Sequence, residues 1–296
     1  MSTLPPRAVL VTRPTILETL VAAHGTRGQA AFFLRSRGQE IAALEAADAA
    51  QRRALDAALR AVPKGWTSAR IRRDQLDRFL FTPEDVVVAV GQDGLVANLA
   101  KYLDGQPVLG VAPEDGFSEG VLTRLPPAAL PDLLPAAAAG EAPVEARTMV
   151  EAAAGGRSLL ALNEVFVGHR SHQSARYEMH WRGEVEAQSS SGVILATGTG
   201  LTGWARSITR QAGIEISFAA DDPHAAFFAR EPWPSRATGT ALAHGVLSRD
   251  EHLEIVSRME GGVVFADGIE TDYLDFGHGE RAELRLSRRV LRLVGA

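Results

Sequence analysis

Three short segments carry residue types suited to handling a phosphorylated ligand. The first is Gly91-Gln92-Asp93-Gly94. It follows the valine-rich run 85–90, which reads as a central strand covered on both faces. It precedes a helical apolar pattern over 95–103. Glycine lets the backbone turn sharply and approach a ligand closely. The first N–H groups of the following helix lack partners within it, so they can receive phosphate oxygens. Asp93 stands at the carboxyl end of the strand, where open α/β sheets place their ligands. A carboxylate among phosphates has two jobs open to it, general base toward a hydroxyl or holder of a magnesium ion. The same residues fit a plain strand-to-helix turn whose aspartate caps the helix, and the motif alone weighs the two readings evenly.

The second segment is Thr197-Gly198-Thr199-Gly200-Leu201-Thr202-Gly203, between the apolar run 193–196 and a helix expected over 202–210. Alternating Gly and Thr offer backbone amides and hydroxyls to polar ligand groups. A flexible strand-to-helix loop with Thr202 as N-cap is the plainer alternative. The third is Asn163-Glu164, inside the apolar stretch 159–167. An amide and a carboxylate there must find partners or bear a desolvation cost. Recognition of base or ribose groups would satisfy them; so would a strand end with a solvated glutamate.

The elements that position these segments fall into two halves. The first half alternates strand and helix: strand 8–12, a helix to residue 61, strand 85–90, helix 95–103 and strand 107–111. That succession is the signature of a parallel sheet. On the early helix Ile41, Leu44, Leu55 and Leu59 share a face that Asp48 and Arg52 interrupt, so its middle is expected to be less buried than its ends. Five prolines and four consecutive alanines in 125–143 read as an interdomain linker or a short Ala-rich helix. Beyond it, strand-like runs recur at 159–167, 177–181, 193–196, 253–256, 263–265 and 282–286, separated by Gly, Asp and Ser, which reads as mainly antiparallel β. Asp267-Gly268 is a favoured hairpin dipeptide, read as a turn rather than a site.

Composition narrows the classes. The 296 residues favour two domains, and 46% hydrophobic with 23% charged residues allows an ordinary core. A net charge of −5 argues against a nucleic-acid binder while leaving room for a local anion site built from a few arginines. With no cysteine, disulfides, thiolate zinc sites and thiol nucleophiles are excluded, and a cytoplasmic enzyme is the expected setting. The opening residues lack the pattern of a secretory leader, and no apolar run reaches the roughly 18 residues of a membrane span. Arg170, His172 and Arg176 read first as a polar loop, although they could reach substrate phosphates. His169 and His172 lack a matching ligand pattern, so no protein metal site is expected. Arg230 fits a phosphate clamp and a salt-bridge partner equally.

In order, the three segments resemble the NAD kinase family, which carries a Gly-Gly-Asp-Gly turn after a strand, an Asn-Glu pair, and a Gly-Thr-rich loop entering a helix. The likeness is nearest the mitochondrial type, on residues 161–168, Ser190-Ser191-Gly192, Thr197-Gly198-Thr199-Gly200, Arg230-Glu231-Pro232, and 11–15 with Glu18. It implies an α/β N-terminal domain with a Rossmann-like parallel sheet (1–124), a linker (125–143), and a β-rich NAD-binding domain (144–276) whose tail (277–296) returns to the first. It implies substrate in the cleft between the domains, and an enzyme that transfers the γ-phosphoryl of ATP, with Mg2+, to the 2′-hydroxyl of NAD. Asp93 would be the catalytic carboxylate, Gly91, Gln92 and Gly94 would hold phosphate, and Asn163 and Glu164 would bind the adenosine half. Thr197, Gly198, Thr199, Gly200 and Thr202 would line the nucleotide site, and a homodimer or higher homo-oligomer is implied, without nucleic-acid or membrane partners. The chain departs from the family at Gln92 for the second glycine, Ser191 for a frequent Asp, Leu201 for a polar residue and Trp204 for a frequent Tyr. Two rivals share some of these features: a lipid kinase of the diacylglycerol or sphingosine type, and a non-catalytic NAD or NADP sensor.

Overall fold

The computed structural model describes residues 5–113 and 120–295; residues 1–4, on which the reading of the N-terminus rests, lie outside it. The chain forms two compact units, Met1–Glu145 with Arg292–Ala296, and Ala146–Leu291.

The first unit runs β1 (Arg7–Thr12), α1 (Ile16–His24), α2 (Arg27–Arg35), α3 (Ala42–Ala61), β2 (Thr67–Arg72), β3 (Asp85–Val90), α4 (Asp93–Ala100), β4 (Pro107–Val111) and α5 (Leu130–Ala139). Its strands are parallel in the order β2-β1-β3-β4. The chain's last strand, β16 (Arg281–Val294), joins β4 in parallel through Arg292 and Leu293. The valine run β3 is buried at every residue, as its composition requires. From β1 the chain moves to β2 on one side, then crosses to β3 on the other. The carboxyl ends of β1 and β3 are therefore the topological switch point, where such sheets bind ligands.

Of the two readings of 125–143, linker or short Ala-rich helix, the structure holds a helix: α5 packs through Leu130, Leu134 and Ala137 into the first unit's core. Pro131 sits near the start of α5, where a missing N–H costs nothing, and the alanines that follow favour helix. Asp48 does not leave the middle of α3 exposed. It is 6% exposed, paired with Arg52 at 2.9 Å and accepting the Thr15 hydroxyl at 2.7 Å, while Ala50, Ala54 and Ala58 form the buried face.

The second unit contains β5 (Val144–Ala154), whose first two residues belong to the first unit, then β6 (Arg157–Ala161), β7 (Glu164–His169), β8 (Ala175–Trp181), β9 (Glu184–Ser190) and β10 (Val193–Thr197). After α6 (Trp204–Ala212) come β11 (His224–Ala229), β12 (His244–Ser248), β13 (His252–Ser257), β14 (Gly262–Ala266) and β15 (Tyr273–Asp275). One antiparallel sheet is ordered β12-β11-β10-β7-β14-β15; a second contains β16-β13-β8-β9, with β5 paired to β6. Their inner faces share a core that includes Val165, Val167, Leu195, Phe227, Tyr177 and Ile255. The apolar stretch 159–167 is broken between β6 and β7, and Asn163 lies at the break. Because side chains alternate along a strand, Glu164 and Phe166 face away from that core, toward α6, and Phe166 packs there with Ala196 and Trp204.

Candidate functional site

The first unit supplies the aspartate. Gly91 has φ 154°, a conformation that favours glycine, and its N–H donates to the Val111 carbonyl at 3.0 Å, turning the chain out of β3 into α4. Gln92 is the N-cap residue and Asp93 the first residue of α4. Asp93 does not cap that helix. Its Oδ1 accepts from the Leu122 N–H (3.1 Å), the Thr123 N–H (2.8 Å) and the Thr123 hydroxyl (2.8 Å), and its Oδ2 from the Val121 N–H (2.8 Å). The carboxylate is thus fixed in direction, and Oδ2, with one donor among the described residues, keeps room for another. Gly110 makes this anchor possible: a Cβ there would lie 1.9 Å from the Leu122 carbonyl oxygen.

Gln92, where the family pattern has glycine, accepts the Arg13 guanidinium through Oε1 at 2.6 Å. Arg13 and Thr15 follow β1, so the switch point is bordered by Arg13, Gln92 and the Gly91 turn. A cavity of about 450 Å³ opens there, walled by Ala43, Leu44 and Ala47 of α3. Its volume lies in the range of small-molecule sites.

The second unit supplies the Asn-Glu pair and the Gly-Thr loop, and locks them together. The Thr197 N–H donates to the Asn163 carbonyl at 2.9 Å. Its hydroxyl donates to the Leu162 carbonyl at 2.6 Å and accepts the Gly200 N–H at 3.1 Å. Gly200 lies so close that a Cβ would meet the Asn163 carbonyl oxygen at 2.1 Å, and one on Gly198 would meet the Ala219 oxygen at 2.1 Å. Thr197 and Thr199 are buried, and Thr199 accepts the Arg147 guanidinium at 3.2 Å. Their hydroxyls hold the loop's shape rather than facing outward. Thr202 is not the N-cap of α6: Gly203 is, and the Thr202 hydroxyl donates to the Thr199 carbonyl at 2.8 Å. Leu201 and Trp204, two departures from the family pattern, pack beside Phe166.

Asp267 turns the chain, as its dipeptide with Gly268 implies, with φ 50° and Gly268 at 68°, and it does more than the sequence pattern shows. Its carboxylate also accepts the backbone N–H groups of Leu162 (2.9 Å), Asn163 (2.7 Å) and Glu164 (3.2 Å). No pattern near position 267 marks a clamp on a segment about a hundred residues earlier. Glu164 is 8% exposed, and among the described residues nothing hydrogen-bonds its carboxylate. Burial, and then the Asp267 charge, pushes its carboxyl up to about 8. Asn163 is partly buried, and its side chain likewise has no hydrogen-bond partner among the described residues.

On the same face of the sheet, a cavity of about 760 Å³ is walled by Phe166, Trp204 and Phe265 and rimmed by His169, Arg170, His172 and Arg230. Arg176 is not part of it. The Arg230 guanidinium lies 5.0 Å from the Trp204 ring centre, its Nε has no hydrogen-bond partner among the described residues, and Glu231 is 3.7 Å away. Arg170 is held by Asp275 at 2.9 Å. Ser191, in the position of the frequent Asp, also lines the cavity.

No family model matches the chain. The rice (Oryza sativa subsp. japonica) protein named a probable NADH kinase is 25% identical over 235 residues, which is 71% of this chain and 70% of that one. The fold is similar to yeast NADH kinase crystallised with NADH, with a TM-score of 0.65 and 16% identity over 99% of this chain and 84% of that one. It is similar also to an NAD kinase from Archaeoglobus fulgidus in complex with ATP, with a TM-score of 0.59 and 19% identity over 98% and 93%. An α/β unit followed by a β-rich unit is the architecture of the NAD kinase fold. With the rice protein's sequence likeness, it places the chain in the NAD(H) kinase superfamily.

Proposed function

We propose that this protein is a phosphotransferase that moves the γ-phosphoryl group of ATP to the 2′-hydroxyl of the adenosine ribose of NAD or NADH. The observation that carries the reading is the Asn163-Glu164 pair: two polar side chains, one nearly buried, with no hydrogen-bond partner among the described residues. A protein rarely leaves such groups unmatched unless a ligand completes them. Beside them, aromatic walls and unpartnered arginine nitrogen suit a flat, anionic molecule, as a dinucleotide is.

Phosphoryl transfer asks a protein chiefly for positioning and charge neutralisation. Asp93 acts as general base, its free Oδ2 direction receiving the hydroxyl proton as the new oxygen–phosphorus bond forms. Backbone N–H groups of the Gly91 turn, with Arg13 close by, hold phosphate oxygens. Magnesium belongs to this proposal as part of the ATP substrate. The likeness to the mitochondrial type supports the same acceptor chemistry. The rice and yeast proteins are named NADH kinases, which makes NADH an acceptor to set beside NAD.

The test is incubation of the purified protein with magnesium-ATP and, separately, NAD, NADH, the 2′-deoxy analogue of NAD, and diacylglycerol, with products read by mass spectrometry. Phosphorylated NAD or NADH is expected, with no product from the 2′-deoxy analogue. Phosphorylated analogue means a different acceptor hydroxyl, phosphorylated lipid means the lipid kinase, and NAD binding without any product means a sensor.

A further inference from the structure

Gln92 stands where the family pattern has glycine, and its side chain makes a contact that glycine cannot. The backbone there is extended, with φ −104° and ψ 162°, so any residue fits; the conformation that favours glycine belongs to Gly91. The Gln92 side chain does not cap α4. It reaches across 79 residues of sequence to the end of β1, where Oε1 accepts the Arg13 guanidinium at 2.6 Å. Its Nε2 has no hydrogen-bond partner among the described residues.

Arg13 is also fixed through its own backbone. It follows β1 directly, and Pro14 restricts it to extended conformations. Thr15 is then tied down by the capping box of α1 and by its hydroxyl bond to Asp48 at 2.7 Å. The charge of Arg13, by contrast, is left uncompensated: among the described residues no carboxylate pairs with it. The acids of neighbouring segments are committed elsewhere. Glu18 accepts the Thr15 N–H at 3.0 Å, Asp48 pairs with Arg52 at 2.9 Å, and Asp93 takes its donors from Val121, Leu122 and Thr123. Arg124 is the other charged residue described on the wall of the 450 Å³ cavity, and Glu145 neutralises it at 2.9 Å. A carboxylate in place of Gln92 would order Arg13 and cancel its charge. The amide orders it, keeps the charge, and leaves most of its N–H donors free.

We infer that Gln92 is a positioning residue that aligns Arg13 without neutralising it, so that the cavity at the ends of β1 and β3 receives the phosphate chain of the donor nucleotide. The inference rests on the reading of Arg13 and the Gly91 turn as phosphate-holding groups. An arginine ordered in advance loses less freedom when an anion binds, which is worth about two- to tenfold in affinity. Gln92 acts through Arg13, and a glycine at this position would leave the guanidinium to find the phosphates unaided.

The experiment titrates magnesium-ATP, and separately inorganic tripolyphosphate, into the full-length protein by calorimetry without NAD. Arg13→Ala is expected to weaken both ligands by roughly ten- to a hundredfold, as loss of a hydrogen bond between charged groups does. Gln92→Met, similar in length but without an acceptor, is expected to weaken both by about three- to tenfold. In the double variant the Gln92→Met effect should vanish, leaving affinity within about twofold of Arg13→Ala alone. Gln92→Glu holds Arg13 at least as firmly and cancels its charge. It should bind ATP roughly tenfold or more weakly with no loss of thermal stability, whereas a brace that only supports the fold predicts full affinity. Unchanged affinity in folded Gln92→Met, additive losses in the double variant, or full affinity in Gln92→Glu overturns the inference and leaves the wider reading of the turn in place. Weakened ATP with tripolyphosphate untouched overturns the phosphate chain as the contact. A wild-type protein that binds neither ligand overturns the inference together with the phosphate-holding turn.

Discussion

Replacing Asp93 by asparagine tests the proposed base and, at the same time, the anchor that holds it. The amide oxygen can occupy the Oδ1 position and keep the donors from Leu122, Thr123 and the Thr123 hydroxyl. The amide NH2 then faces the Val121 N–H, so the 2.8 Å bond at Oδ2 is lost and two donors oppose each other. Losing one hydrogen bond to a charged group costs about 1.5–3 kcal/mol, and the remaining three weaken as their acceptor becomes neutral. A destabilisation of roughly 2–4 kcal/mol is expected, read as a lower denaturation midpoint. Loss of a general base slows the chemical step by roughly 10² to 10⁴, or about 3–5 kcal/mol of barrier. The two effects are of similar size, so each needs its own measurement. Single-turnover rates at saturating ATP and NAD, with denaturation and NAD affinity on the same preparation, separate them. Thr123→Val is the companion: it removes one donor, about 1 kcal/mol, and leaves the carboxylate in place. It should retain the rate within about tenfold while Asp93→Asn falls by 10² or more. Near-normal turnover by folded Asp93→Asn refutes the base. Equal rate loss in both variants, with NAD binding intact, assigns Asp93 to anchoring alone.

Asn163→Ala should barely change the denaturation midpoint, because its side chain has no protein partner among the described residues, yet weaken NAD binding by roughly tenfold as one ligand hydrogen bond goes. Calorimetry showing unchanged affinity would leave the pair as a strand end. Asp267→Ala leaves three backbone N–H groups without their acceptor and should destabilise the second unit by about 3–5 kcal/mol in urea, while bringing the Glu164 carboxyl down from about 8, though not to its ordinary value, since burial is the larger cause. Gly200→Ala places a Cβ 2.1 Å from the Asn163 carbonyl oxygen, so the loop must shift; a loss of about 1–3 kcal/mol together with weaker NAD binding is expected, and intact binding would separate the loop from the site.

Local patterns carried much of the fold. The valine run, the glycine turn after it and the apolar helix that follows are legible because strand burial, tight turns and helical periodicity are properties of neighbouring residues. The antiparallel second half and the Asp267-Gly268 turn are legible for the same reason. Ordered along the chain, these pieces form the pattern that resembles the NAD kinase family, with Asp93, Asn163 and Glu164 at its polar positions.

What they could not contain was the pairing of distant polar groups. Asp93 is anchored by backbone 28 to 30 residues later, and Asp267 clamps Asn163 across 104 residues. Thr197 and Thr199 look like outward hydroxyls in a Gly-Thr loop, yet both are buried, Thr197 against the Asn-Glu turn and Thr199 against Arg147. Asp48 reads as an interruption of an apolar face and is buried because Thr15 and Arg52 satisfy it. Sequence spacing fixes which way a side chain leaves its own strand or helix. Whether a polar group there finds a donor, a repelling charge or nothing is decided only when remote segments pack, and at Glu164 burial, and then the Asp267 charge, pushes the carboxyl up to about 8.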